Sequence, residues 1–301
     1  MHDLISIGTV SVDLYFKGKS MPFAANHFHL ASGGKYFVDF FHEGVGGGAT
    51  NVAIGAKKNG INVALSAKIG NNSFKHLILD TLKKHDISTS LCHFQDDYYN
   101  ISSIFLNGIG EKTVVNYRTP HQHYFENMNE SMFHTKSVYV ANMPDAPLTD
   151  RIKLLHDYKK KGILVFLNLG VNDCRRSKDQ IGELLENIDV LIVNTHEFAD
   201  LVKMPLHRLN FTKLYVPNHW PLLCEKTVII TDGARGSYGY SNNVIYKQPS
   251  ITPKKIIDTT GAGDGFTAAF IADYVKNRDV KSAMKSGTEY SSKKLEHLGA
   301  N

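Results

Sequence analysis

A chain of 301 residues, 42% apolar and 21% charged, has the material for a buried core and is too apolar for disorder. Its formal charge of +5 is spread over Lys57-Lys58, Lys83-Lys84, Lys293-Lys294 and the triplet Lys159 to Lys161. None is interleaved with stacking aromatics, which argues against nucleic acid as a partner, and no apolar run approaches the roughly 18 residues that cross a membrane.

The opening MHDLISIGTV carries an acid where a secretory signal carries basic charge, and Cys92, Cys174 and Cys224 are scattered. A cytoplasmic protein without disulfides or a zinc knuckle is the expectation.

Along the chain, DLISIG reads as a strand and ATNVAIGAKKNG as a helix ended by Gly60. INVALSAKIG is a buried strand, and SFKHLILDTLKKHD is an amphipathic helix opening on Ser73. SVYVAN, ILVFLNL, DVLIVN and TVIITDG are further strands, with helices at LTDRIKLLHDYKKKG and HEFADLV. This alternation predicts an α/β fold, a mostly parallel central sheet with helices on both faces.

Residues 15–42, with KYFVDFFH, and 100–117, with ISSIFLNGIGEKTVVNY, break the rhythm. They are expected to form a small antiparallel β lid, inserted into one domain spanning 1–301, over a site at the carboxyl ends of the parallel strands. Open lid edges would pair between two subunits as a homodimer.

The stretch DTTGAGD, Asp258 to Asp264, runs into GFTAAFIADYV, where Phe266, Ala269, Phe270 and Tyr274 fall at helical spacing. The helix is predicted to begin near Gly263. Its first N–H groups lack partners and together carry roughly half a positive charge, and glycines let an anion approach them. Asp264 beside them is placed to take a proton from an attacking hydroxyl. A helix N-terminus should favour the ionised carboxylate and so lower its basicity.

DTTGAGD resembles the C-terminal signature of the PfkB (ribokinase-like) carbohydrate kinases. The resemblance implies Asp264 as catalytic base and the amides of Gly261, Ala262 and Gly263 as anion hole. The other motifs agree in order. GGGATN resembles the family's Gly-Gly-x-x-x-Asn sugar-binding stretch, through Gly46, Gly47 and Asn51. SIGTVSVD resembles the N-terminal strand whose closing acid, here Asp13, grips substrate hydroxyls. NTHE matches an Asn-x-x-Glu motif serving magnesium and phosphate, through Asn194 and Glu197, with Mg²⁺ held mainly through water. TDGARGS matches a Thr-x-Gly-x-x-Gly turn near the nucleotide, through Thr231, Gly233 and Gly236. The family commonly binds a monovalent cation near the anion hole, and Asp258 and Thr260 stand at positions compatible with K⁺.

There are departures. LNLGVNDCR has Asn168 but lacks the Asp of the Asp-x-Asn-x-Arg pattern that many relatives carry there. The chain stops at Leu298 to Asn301, where relatives usually continue, so the adenine pocket is expected to be more open or completed by other groups.

The resemblance implies transfer of the γ-phosphoryl of ATP to a hydroxymethyl group of a small sugar such as ribose or fructose. The alternative is an adenosine-type nucleoside kinase, with the base stacked on Phe23, Phe28, Tyr36, Phe37, Phe40 or Phe41. Otherwise these aromatics fill the lid's own core. A third reading is a non-catalytic sugar sensor.

Arg118 in NYRTP is a candidate contact to substrate or to the transferring phosphate, or else a surface arginine. His121 and His123 suggest a metal, but no third ligand stands at suitable spacing. A dinucleotide fingerprint and a P-loop are both absent.

Overall fold

The computed structural model describes residues 1–19, 21–25, 27–108, 111–120, 130–213 and 220–299. The first half of the chain forms β1 (Leu4–Gly8), β2 (Ser11–Lys17), β3 (Phe23–Ala24), β4 (His27–Phe28), β5 (Phe40–Gly46), α1 (Gly48–Lys58), β6 (Val63–Gly70), α2 (Lys75–Lys84), β7 (His93–Gln95), β8 (Asn100–Leu106) and β9 (Lys112–Arg118). After these come β10 (Ser137–Val140), α3 (Leu148–Lys160), β11 (Leu164–Asn168), α4 (Val171–Cys174), α5 (Lys178–Glu186), β12 (Val190–Asn194) and α6 (Thr195–Leu201). The last elements are β13 (Thr227–Thr231), β14 (Ser237–Ser241), β15 (Val244–Gln248), α7 (Ala262–Asn277) and α8 (Val280–Lys294).

A nine-stranded sheet has the order β15-β14-β13-β12-β11-β10-β1-β6-β7. It is parallel from β13 to β7, while β14 and β15 add an antiparallel edge. Strand side chains alternate between two cores. Val190 and Ile192 of β12 face α1, α7 and α8, while Leu191 and Val193 face α3, α5 and α6. Both faces are therefore covered, as the near-continuous apolar runs of these strands predict.

A second sheet has the order β5-β2-β8-β9. Its outer pairs are antiparallel and its central pair, β2 with β8, is parallel. Its strands extend past the expected limits: β2 begins at Ser11 and β5 ends at Gly46, while Lys35 to Asp39 form no strand. Strands β3 and β4 pair with each other as a separate two-stranded sheet.

Two local expectations change. Helix α2 begins at Lys75, and Asn72 rather than Ser73 organises its entry: Asn72 Oδ1 accepts from Phe74 N at 2.9 Å while Nδ2 donates to Tyr98 O at 2.6 Å. Asp13 lies on β2 of the smaller sheet, not at the end of β1, because the first strand closes at Gly8.

Candidate active site

The candidate groups come from the carboxyl ends of β12 and β13, the N-termini of α1 and α7 and the inner face of the smaller sheet. Gly261 caps α7 in the left-handed region (φ 73°), where a side chain would be strained. The first bond of the helix runs from Gly265 N to Gly261 O at 2.8 Å. Among the described residues, no backbone acceptor meets the N–H groups of Gly263 and Asp264. A Cβ at Gly263 would have nothing within 4 Å, so this turn opens onto space. Downstream, Phe266, Phe270 and Tyr274 stack at centroid distances of 6.2 and 5.6 Å, and Ser291 of α8 donates to Ala262 O at 2.9 Å. These contacts hold the helix end in place.

Asn51, in the first turn of α1, donates through Nδ2 to Asp264 Oδ2 at 2.7 Å. This one bond joins the two glycine motifs across 213 residues of sequence. Burial pushes the Asp264 carboxyl up to about 6; Asn51 pulls it down, and the charge of Asp13 adds to the rise. The net direction, set by burial and Asp13 against Asn51, is upward, opposite to the lowered basicity expected from position alone.

Asp13 is buried, and burial raises its pKa too, although Ser11 and Ser102 donate to it. The Ser11 Oγ bond to Asp13 Oδ1 is 3.0 Å. A Cβ on Gly46 would fall on the Asp13 carboxylate, and one on Gly47 (φ 97°) on the Thr9 carbonyl. The glycine pair thus makes room for the acid and for the passage of the chain into α1.

On the other side, Asn194 and Thr231 are Cα partners at the ends of β12 and β13. Asn194 and Glu197 form a capping box: Asn194 Oδ1 accepts from Glu197 N, and Glu197 Oε2 accepts from Asn194 N, both at 2.9 Å. Burial raises the Glu197 pKa against these bonds, and the Asp264 charge adds to the rise. The backbone bond of the cap falls on Oε2 of Glu197. No cluster of three metal-ligating side chains occurs among the described residues.

The Thr231 turn is fixed by Asp232 N to Gly236 O at 2.8 Å and by a two-pronged Arg235–Asp232 pair at 2.8 and 2.7 Å. Gly233 (φ 53°) and Gly236 (φ 100°) occupy left-handed positions in it.

Other candidates fall differently. Arg118 is engaged by Asp145 at 2.6 Å and approaches Asn100 Oδ1 at 3.5 Å. Asn168 Nδ2 donates to Ile192 O at 2.9 Å, and Asp173, nearby in sequence, is buried against Arg151. Phe23 and Phe28 pair with each other, Phe41 packs on Phe16, and Phe37 is exposed. His121, His123, Ala300 and Asn301 lie outside the described residues.

Asp258 and Thr260, expected beside a monovalent cation, lie next to an ammonium group: Lys112 Nζ is 2.6 Å from Thr260 Oγ1 and 3.5 Å from Asp258 Oδ1. Sequence reasoning missed Lys112. Strand alternation carried the signal, because Lys112, Val114, Asn116 and Arg118 share one face of β9.

An unpartnered helix end opening onto space lies beside the part-buried carboxylate of Asp264 in an α/β fold. The pfkB family carbohydrate kinase description matches residues 1–301, and the chain belongs to that family. It is a phosphotransferase with an alcohol group as acceptor.

A nucleoside kinase of Methanocaldococcus jannaschii is 26% identical over 301 residues, covering 99% of this chain and 92% of its own. An ATP-dependent 6-phosphofructokinase of Thermoanaerobacterium thermosaccharolyticum is 24% identical over 309 residues, covering 99% and 89%. Among solved structures, Arabidopsis thaliana ribokinase complexed with ribose and ATP gives a TM-score of 0.84 at 20% identity, over 99% of this chain and 94% of that one. The Methanocaldococcus jannaschii nucleoside kinase, an archaeal member of the ribokinase family, gives 0.78 at 24% identity, over 100% and 93%. The fold is ribokinase-like.

Proposed function

We propose that the protein transfers the γ-phosphoryl group of ATP to the hydroxymethyl group of a small sugar such as ribose or fructose. The observation that carries this reading is the Asn51–Asp264 bond at 2.7 Å, which brings a polar substrate floor against the carboxylate beside an open helix N-terminus. Asp13 and Asn51 hold ring hydroxyls and turn one primary alcohol toward Asp264. Asp264 accepts its proton. The amides of the Gly261, Ala262 and Gly263 turn face the oxygens of the migrating phosphoryl group, where donors already in place avoid the cost of solvent reorganisation. The Asn194 cap and the Thr231, Gly233 and Gly236 turn line the nucleotide side, and Glu197 is the residue that would hold Mg²⁺, mainly through water. Bound Mg²⁺ would neutralise phosphate charge. No described helix is long and apolar enough to cross a membrane, and the reaction is assigned to the ATP-supplied cytoplasm.

The chain acts as one domain, residues 1–301, with the β5-β2-β8-β9 sheet, which grows out of the 15–42 and 100–117 regions and past their limits, serving as lid. The polar strip of Ser11, Asp13 and Ser102 on its inner face suits a sugar. One observation favours a nucleoside instead. Phe40 stacks on His42 at a centroid distance of 6.4 Å, and His42 meets Tyr15 in a tilted contact at 5.8 Å, along the face that also carries Asp13.

Measuring ADP release with ribose, fructose and adenosine separates the two acceptor classes; release with none of these or related acceptors ends the proposal. Asp264→Asn should lower kcat by at least ~10³-fold, within the range of lost general-base catalysis, with ATP affinity nearly unchanged. Retained turnover removes Asp264 as the base.

A further inference from the structure

The residues beside the anion hole do not fit an added monovalent cation. Asp258 Oδ1 accepts from Thr260 N at 2.9 Å and from Thr260 Oγ1 at 2.7 Å, and Oδ2 accepts from Gly299 N at 3.1 Å. Both carboxylate oxygens are thus taken by donors. The Thr260 hydroxyl gives its proton to Asp258 and accepts from Lys112 Nζ at 2.6 Å. A K⁺ ion needs several converging oxygens, and here it would meet an ammonium already in contact with two of them.

The Asp258 side chain is 2% exposed and that of Lys112 is 30% exposed, so solvent screens this pair little at the carboxylate end. Burial opposes the Asp258 charge, yet the Thr260 and Gly299 donors and Lys112 outweigh it and hold the pKa below the ordinary carboxylate range. Other ionisable groups around the cluster are Asp13 and Tyr15 on β2 and Lys294 on α8. Lys294 acts on Asp258 through space, whereas Lys112 makes the contact.

We infer that Lys112 is a tethered substitute for the monovalent cation, so that this kinase works without added K⁺. The ammonium carries the same single charge, and β9 delivers it. It acts through the Asp258–Thr260 turn, which leads directly into Gly261 and the open amides of α7. Lys112 is therefore a positioning residue: it neutralises Asp258 and sets the entry into the anion hole. Because β9 belongs to the lid, the same contact ties the lid to the phosphoryl end of the site.

The inference rests on the kinase reading, so its test has an arm that needs no turnover. The full chain is titrated with KCl against tetramethylammonium chloride at a constant ionic strength of roughly 0.1 M. Wild-type kcat should change by less than about twofold, while Lys112→Met should lose at least ~10-fold, as when a transition-state donor is misplaced, and regain most of it in K⁺.

The second arm is thermal unfolding without nucleotide or acceptor. K⁺ should raise the Tm of Lys112→Met in a saturable way, as a ligand of the folded state does, and leave the wild-type Tm unmoved. Lys112→Gln serves if the Met variant does not fold. Wild-type activation by K⁺ together with a K⁺-dependent wild-type Tm overturns the inference. So does a folded variant whose activity is unchanged, or is lost without rescue. Absence of kinase activity with an unmoved wild-type Tm and a K⁺-raised variant Tm would sink the functional reading and keep the tethered cation.

Discussion

Asp264 is held between opposing influences, and their balance makes the residue useful. Burial and the charge of Asp13 oppose its ionised form and carry the pKa up to about 6, against the hydrogen bond from Asn51 that favours it. Activity should therefore rise with pH through about 6 as the base loses its proton. A kcat/KM profile, flat from pH 5 to 8, would contradict this. The same shift has a cost in stability. The folded state keeps the proton longer than the unfolded chain, so stability is fullest below the ordinary carboxylate pKa and declines as pH rises through about 6. Asp264→Asn should consequently gain roughly 1–2 kcal/mol at pH 7.5, discounted for partial solvent access, and lose that gain near pH 4. Urea midpoints at the two pH values measure it. Gly46 is the other residue with a sharp expectation. Its Cβ position coincides with the Asp13 carboxylate, so Gly46→Ala should raise the acceptor KM at least ~10-fold with little change in that for ATP. Equal effects on both would show that the glycine serves the fold rather than the acceptor site.

At the scale of elements, helices α3 and α4 are locked by a buried ion group away from the reacting groups. Arg151 meets Asp173 at 2.5 and 2.9 Å, and Arg176 adds a bond at 2.9 Å. Burial works against the Asp173 charge, but the two guanidinium groups outweigh it and keep its pKa below the ordinary value. That stability is present above the unfolded carboxylate pKa and is lost as pH falls through the folded one. Asp173→Ala strands Arg151 in the core and should cost about 3–5 kcal/mol, read as a lower urea midpoint, with KM values nearly unchanged. Helices α1 and α7 answer to function more directly, since each contributes its first turn to the site. Their packing explains why: α7 residues Phe266, Ala268 and Phe270 share one core with Ala53 and Ile54 of α1.

At the scale of the whole molecule, the outer face of the smaller sheet is apolar. Phe41, Phe16 and Phe105 form an aromatic row, and Phe41, Val115 and Tyr117 are 54, 61 and 57% exposed. Covering this face with the same face of a second subunit would give a homodimer by a contact different from the edge pairing expected of the lid. Sedimentation should show a dimer that the double variant Phe41→Glu, Val115→Glu converts to a monomer; a monomeric wild type contradicts it. Much of this was legible in the chain. The alternation of apolar strands with amphipathic helices determined the parallel, doubly covered sheet, because burial on both faces needs that pattern. The order of glycine and acid motifs determined the phosphoryl-transfer class, because such turns serve close approach to an anion. Tertiary structure decided the rest. Asn51 and Asp264 meet only when α1 and α7 pack together, and burial, which sequence position does not reveal, reversed the expected shift of the base. Lys112 reaches Asp258 across 146 residues of chain, a distance that local pattern does not encode and that sheet register sets.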